Sequence, residues 1–309
     1  MKDNRPLIFH LSASKALAKE VSKLLNYPLG EAESYTFYDG EEMVKPISEV
    51  KDRDIILIQS TSYPQSKHLM EILIFVDSLK KNKSGKITLV TPYFGYARQD
   101  RQIHAKDPIT ASLAARLIES CGVDEIIFID IHTKNTPSFF HIKTHNIEMT
   151  NTYKQLFLKV MEENNYKKDE VMVFSPDHGS ESRGIALASA LGVTFGEIYK
   201  IRPKVDETRI KDIEGNPNGK VVFLIDDIVD TGSTILEAVD ALRGMGAKAI
   251  YVGFTHAVLK ENNYRELVHH DIDKIFFSNS IELSFPHEEA VCFSIASEIA
   301  KAIRGEIDG

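Results

Sequence analysis

Residues 221 to 234 read Val-Val-Phe-Leu-Ile-Asp-Asp-Ile-Val-Asp-Thr-Gly-Ser-Thr. An apolar run delivers two acids, Asp226 and Asp227, and a third, Asp230, precedes a hydroxyl-rich turn that opens a helical pattern reaching about Gly244. Each part has a chemical use. Backbone N–H groups of Thr231, Gly232, Ser233 and Thr234, with the hydroxyls beside them and the positive end of a helix dipole, form a cradle for a phosphate dianion. Gly232 lets the backbone come close. Carboxylates at Asp226 and Asp227 can accept hydrogen bonds from sugar hydroxyls, directly or through a divalent ion. Taken singly, Asp230 would be an N-cap and the other two a solvated strand end. Together, at one strand-to-helix junction, they point to a phosphate and ribose site.

Other groups could bind a nucleotide. Arg98, Gln99 and Arg101 follow an apolar run and offer fork-shaped donors, while Tyr93, Phe94 and Tyr96 offer either stacking surface or core packing. His132 comes just beyond a run at 125 to 131, where open sheets place ligand-binding groups. Lys200 and Arg202 stand at the end of another run, before Pro203. On their own, a lone His reads as structural and two such cations as a solvated edge.

The elements that must hold these groups follow a simple alternation. Apolar runs at 6–11, 54–60, 86–93, 125–131, 171–177, 194–200, 220–227, 249–257 and 274–280 predict buried strands. Helical periodicity falls at 12–25, 66–81, 109–120, 150–164, 181–191, 233–244 and 288–304. The βαβ order implies an α/β fold with parallel sheets flanked by helices. A polar break at 144–151 places a boundary near residue 148, giving domains 1–148 and 149–309, with the last helix free to pack back on the first. The polar stretch 204–220 is expected to be a mobile connection.

Composition narrows the class. A chain of 309 residues, 43% hydrophobic and 27% charged, suits two globular domains. Forty-five acidic against thirty-seven basic side chains, a net charge of -8, argue against a coat for nucleic acid or anionic membrane. Cys121 and Cys292 lack disulfide-framework or zinc-module spacing. With neither a signal peptide nor a long apolar span, a cytoplasmic protein is expected.

The 221–234 segment resembles the phosphoribosyl diphosphate motif shared by type I phosphoribosyltransferases and phosphoribosyl diphosphate synthetases. Residues 92–101, Pro-Tyr-Phe-Gly-Tyr-Ala-Arg-Gln-Asp-Arg, closely match a segment of the ribose-phosphate diphosphokinase family that the transferases lack. The likeness extends through 37–41, 59–61, 69–73, 130–132, 175–177 and 255–259. It implies two phosphoribosyltransferase-like domains, each a mainly parallel sheet flanked by helices. The N-terminal domain would bind ATP and the C-terminal one ribose 5-phosphate. It also implies transfer of the diphosphoryl group of Mg-ATP to the C1 hydroxyl of ribose 5-phosphate, with AMP released. By resemblance, Arg98, Gln99 and Asp100 bind ATP, and Asp39, Gly40 and Glu41 contribute to an adenine pocket from a neighbouring subunit, with Phe37 against the base. His132 and Asp177 take the magnesium of the nucleotide. Lys200 and Arg202 form the catalytic pair, Arg202 also meeting ribose 5-phosphate, which Asp226, Asp227 and Asp230 to Thr234 hold. A homo-hexamer is implied.

The likeness departs at Asn135, Ser138, His141, Lys143 and His145, where His141 and His145 are read as surface histidines rather than a new metal site. Ser180 and Gly184 stand where Gly and Ala are usual, as small swaps. Basic charge is thinned at 102–106, which implies weak phosphate activation and altered ADP inhibition. The competing readings are a silent homologue that regulates a true synthetase and a base-transferring phosphoribosyltransferase. Retained Lys200, Arg202, His132 and Asp177 oppose the first, and the ATP-type motifs of the first half oppose the second.

Overall fold

The computed structural model describes residues 5–204 and 207–306, and the side chains among them except at 200–211. The chain divides into two compact units. One holds residues 1–147 with 279–282 and 294–309, and the other 148–278 with 283–293.

The first unit is a 5-stranded parallel sheet in the order β1-β4-β5-β6-β7, built from Leu7–His10, Ile55–Ile58, Ile87–Thr91, Glu125–Ile129 and Lys143–Ile147. Helices α1 (Lys15–Leu25), α2 (Gln65–Lys81) and α3 (Thr110–Cys121) are the crossovers that parallel pairing demands. Their apolar stripes are buried: Leu17, Ala18 and Val21 on α1, Ile72, Phe75, Val76 and Leu79 on α2, Ala114, Ala115 and Ile118 on α3. A separate antiparallel hairpin, β2 (Ala32–Thr36) with β3 (Glu42–Pro46), buries Val44 and leaves its tip exposed. The chain's end returns to this unit as α8 (Ala296–Arg304), where Arg304 donates to the Leu24 carbonyl of α1 at 2.8 Å.

The second unit is a 7-stranded sheet in the order β10-β9-β8-β11-β12-β13-β14. Its strands are β8 (Val171–Ser175), β9 (Thr194–Lys204), β10 (Glu207–Glu214), β11 (Val221–Val229), β12 (Ala249–Ala257), β13 (Lys274–Ser278) and β14 (Val291–Phe293). All pairs are parallel except β9 with β10. Helices α4 (Thr150–Glu163), α5 (Glu181–Leu191), α6 (Ser233–Gly244) and α7 (Glu261–Val268) complete the unit. Phe157 stacks on Phe223 with ring centroids 4.2 Å apart, fixing α4 on the sheet. No described helix is long and apolar enough to cross a membrane.

Three expectations from the sequence are corrected. The 144–151 break contains β7, Lys-Thr-His-Asn-Ile, an edge strand whose ladder is backbone-made and whose side chains are mostly polar. Within the 204–220 stretch, Glu207–Glu214 is a strand that pairs with β9, through two register shifts. Its two-sided polar pattern hides a ladder built from main-chain groups. Only Ala296–Arg304 of the 288–304 segment is helical, since Val291–Phe293 joins the sheet edge. The short α7, unseen in the sequence, is held by buried Tyr264 and Leu267.

Candidate functional site

The junction after β11 is preformed. The strand continues to Val229, so Asp226 and Asp227 lie inside it, only 8% and 4% exposed. That excludes a solvated strand end. Along β11, β8 pairs only with Val221–Leu224. Beyond Leu224, therefore, the turn following β8 can reach β11, and Ser180 donates its hydroxyl to Asp226. Asp226 also accepts the Asp227 N–H at 2.9 Å, and Arg183 of α5 lies 3.7 Å from Asp227. Burial, then the charges of Asp227 and Asp177, push the Asp226 carboxyl well above the usual carboxylate range, against the Ser180 hydroxyl that lowers it.

Asp230 and Thr231 are exposed at the turn, and Gly232 takes φ 84°, which admits glycine readily and starts α6. Thr231 Oγ1 sits 3.1 Å from Ser233 Oγ and accepts the Ser233 N–H at 3.4 Å. Thr234 follows in the first turn of α6, where N–H groups have no intrahelical acceptor. An anion seated there would meet hydroxyls, amides and the helix dipole together.

Asp177 caps the short 3-10 turn His178–Ser180, accepting the Gly179 N–H at 2.9 Å. The charges of Asp177 and Asp227 both bear on Asp226, and carboxylate oxygens are the donors that hard divalent cations favour. Ser180, read as a small swap, is in fact a ligand of Asp226. Gly184 also has a packing reason, because a Cβ there would meet the Phe195 ring at 2.4 Å. Lys200 and Arg202 fall on β9, but their side chains lie outside the described residues.

The first unit gathers its candidates on loops at the carboxyl ends of its strands. After β5, Tyr93 and Phe94 are buried, and Phe94 packs on Phe128 at 5.3 Å, so both are core; Tyr96 alone is exposed. Gly95 N–H donates to Thr61 Oγ1 at 2.6 Å, and a Cβ at Gly95 would meet the Thr61 carbonyl at 2.3 Å. That close approach anchors the exposed Arg98 and Gln99 that follow. Gln99 Oε1 accepts from Thr110 at 2.6 Å, and the Asp100 carbonyl accepts from Asn135 at 3.2 Å. Asn135, one of the departures, is therefore a support of this loop.

After β6, Asp130 takes φ 46° and donates its N–H to the Ile147 carbonyl at 2.9 Å, turning the chain so that His132 follows as a partly buried side chain. Phe37, Asp39, Gly40 and Glu41 form the exposed tip of the β2–β3 hairpin. Its bonds are internal: Glu41 N–H to Asp39 at 3.2 Å and Gly40 N–H to the Phe37 carbonyl at 2.9 Å. His141 and His145 are both engaged by glutamates, at 3.2 Å from Glu119 and 2.9 Å from Glu125. Burial pushes the Glu125 carboxyl up, but Lys86 and Lys143 hold it below its ordinary value overall.

Parallel sheets with an acid-rich strand leading into a Thr-Gly-Ser-Thr turn define a phosphoribosyltransferase-type α/β protein. Residues 6–122 match the family model described as the N-terminal domain of ribose phosphate pyrophosphokinase, and residues 144–290 match the phosphoribosyl transferase domain. A ribose-phosphate pyrophosphokinase of Clostridium perfringens is 37% identical over 300 residues, covering 96% of this chain and 92% of the relative. One from Campylobacter jejuni is 35% identical over 297 residues, covering 96% and 94%. The crystal structure of phosphoribosylpyrophosphate synthetase from Mycobacterium smegmatis superposes with TM-score 0.89 at 29% identity, covering 98% of this chain and 99% of that one. The chain belongs to the ribose-phosphate pyrophosphokinase family.

Proposed function

We propose that this protein transfers the β,γ-diphosphoryl group of Mg-ATP to the C1 hydroxyl of ribose 5-phosphate, yielding 5-phosphoribosyl 1-diphosphate and AMP. The observation that carries the reading is the buried Asp226–Asp227 pair running into the Asp230–Thr234 turn, in a chain matched almost end to end to ribose-phosphate pyrophosphokinases. Asp226 and Asp227 would accept the ribose hydroxyls. The turn would hold the 5-phosphate.

In the first unit, Arg98, Gln99 and Asp100 would bind ATP, with His132 toward its magnesium. In the second, Asp177 would serve the magnesium as well, since its acidic neighbourhood with Asp226 and Asp227 calls for positive charge. Magnesium would supply charge neutralisation on the phosphates. Phe37, Asp39, Gly40 and Glu41 would complete an adenine pocket for a neighbouring subunit of a homo-oligomer, a hexamer by resemblance. Lys200 and Arg202 would meet the charge that develops on the transferred group and the leaving oxygen, Arg202 also contacting ribose 5-phosphate. Such transfers depend on positioning and charge stabilisation, so no covalent nucleophile is needed. The two free cysteines, Cys121 and Cys292, suit a reducing, cytoplasmic setting.

Phosphorus NMR of the purified protein with Mg-ATP and ribose 5-phosphate tests the reading. AMP and a new anomeric diphosphate signal are expected, and both should vanish for Lys200→Ala. Binding of both substrates without turnover would refute it.

A further inference from the structure

Three ligating side chains meet beside the end of β8 and have no part in the reaction above. His178 Nδ1, on the turn after β8, lies 3.1 Å from Glu181 Oε2 and 3.1 Å from Glu197 Oε1. One ligand atom from each of the three lies within 4.8 Å of the others. A tetrahedral ion with bonds of about 2.1 Å spaces its ligands by about 3.4 Å, so the trio needs shifts of only tenths of an ångström at its measured edges.

The environment of Glu197 asks for a cation. This residue of β9 is 2% exposed, and a buried carboxylate is costly without compensating charge. Its partners among the described residues are the His178 ring and the Tyr199 hydroxyl, neither of which carries a permanent positive charge. Neither Glu181 nor Glu197 has a Lys or Arg ion pair among the described residues. A second, independent sign comes from the neighbouring strand. Ser175 of β8 pairs in register with Glu197, so their side chains share one face of the sheet. Ser175 Oγ is buried there with no hydrogen-bond partner among the described residues. Glu214 pairs with Glu197 from β10 and adds another carboxylate to the same face. His178 and Glu181 are 80% and 37% exposed in their side chains, which leaves an ion a path from solvent.

We propose that His178, Glu181 and Glu197 form a divalent transition-metal site, best suited to zinc, apart from the carboxylates of Asp177, Asp226 and Asp227. One imidazole nitrogen, two carboxylates and an open position match zinc rather than magnesium, which prefers oxygen and water. The ion would tie the turn after β8 to β9, the strand that continues into Lys200 and Arg202. It would thereby stiffen the root of the β9–β10 hairpin. The proposal does not depend on the reaction assigned above.

Calorimetric titration of zinc into the whole protein, in excess magnesium so that oxygen-only sites are filled, tests it without reading activity. One ion per chain is expected, with unchanged affinity in Asp226→Asn. Both residues of the double variant His178→Ala/Glu181→Gln are solvent-accessible, so it should keep the wild-type circular dichroism while binding zinc about 100-fold more weakly or worse. Glu197→Gln should show the same loss. Hydrogen exchange should slow in β9 on adding zinc to wild type and not to the double variant. Equal zinc affinity in wild type and the double variant, or loss of binding in Asp226→Asn instead, would overturn the proposal.

Discussion

The junction after β11 and the loops after β5 and β6 occupy the same place in their sheets, at the carboxyl ends of parallel strands, yet they are built in opposite ways. The β11 junction is continuous in sequence and its paired acids are buried, with Asp226 fixed by Ser180 and its own neighbour's N–H. The first-unit candidates are spread over a hairpin tip, an arginine loop and a turn at Asp130, and are mostly exposed. A small charged sugar phosphate can be met by one rigid strand, turn and helix. A nucleotide is larger, and the contacts proposed for it would be drawn from several loops held by backbone anchors such as Gly95 on Thr61. The difference predicts that second-unit substitutions act sharply on chemistry and ribose binding, whereas first-unit ones act in graded fashion on ATP.

The largest effect expected is from Lys200→Ala, which should lower the rate of AMP formation by about 10³-fold, as for loss of a group that meets transition-state charge. A mild loss of rate would erase the contrast between the two units. Next comes Asp226→Asn, for which calorimetry should show ribose 5-phosphate binding weakened by about 10- to 100-fold, the worth of a hydrogen bond to a charged group.

That variant also sharpens the comparison through pH. Because the folded-state value of Asp226 is raised, the ligand-free protein should lose stability as pH climbs from the ordinary carboxylate range through that raised value. Binding of ribose hydroxyls should strengthen over the same rise, as the carboxylate forms. Asp226→Asn should flatten both trends, and a melting series that keeps the wild-type slope would show that Asp226 is not the group responsible.

In the first unit, Arg98→Ala should raise the KM for ATP by about tenfold, consistent with one charge-assisted hydrogen bond, and leave that for ribose 5-phosphate unchanged. The smallest effect belongs to Asn135→Ala, which removes the prop under the Asp100 carbonyl. A rise in the KM for ATP of about fivefold or less is expected from one neutral hydrogen bond. An Asn135→Ala effect as large as that of Arg98→Ala would mean that the loop, not the guanidinium, controls ATP binding.

Much of this was legible in the chain. The apolar runs gave all but five of the described strands, because strands buried on both faces are apolar throughout. Those escaping notice, β2, β3, β7, β10 and β14, are hairpin or edge strands whose pairing rests on main-chain hydrogen bonds. The Asp226–Thr234 segment was readable as a candidate site as well, being contiguous. Ser180 and Arg183 were not assigned to it, since they reach Asp226 and Asp227 from across the sheet, with no sequence spacing to announce them.

The sequence by itself determined the βαβ order, the acid-and-hydroxyl junction and the family, since periodicity and local motifs are properties of neighbours along the chain. Only the tertiary structure decided that β8 stops short and lets Ser180 reach Asp226, that β10 doubles back on β9, and that α8 returns to the first unit. It also brought His178 and Glu181 to Glu197. Those outcomes depend on groups far apart in sequence sharing one buried space, where burial and charge act through distance rather than order.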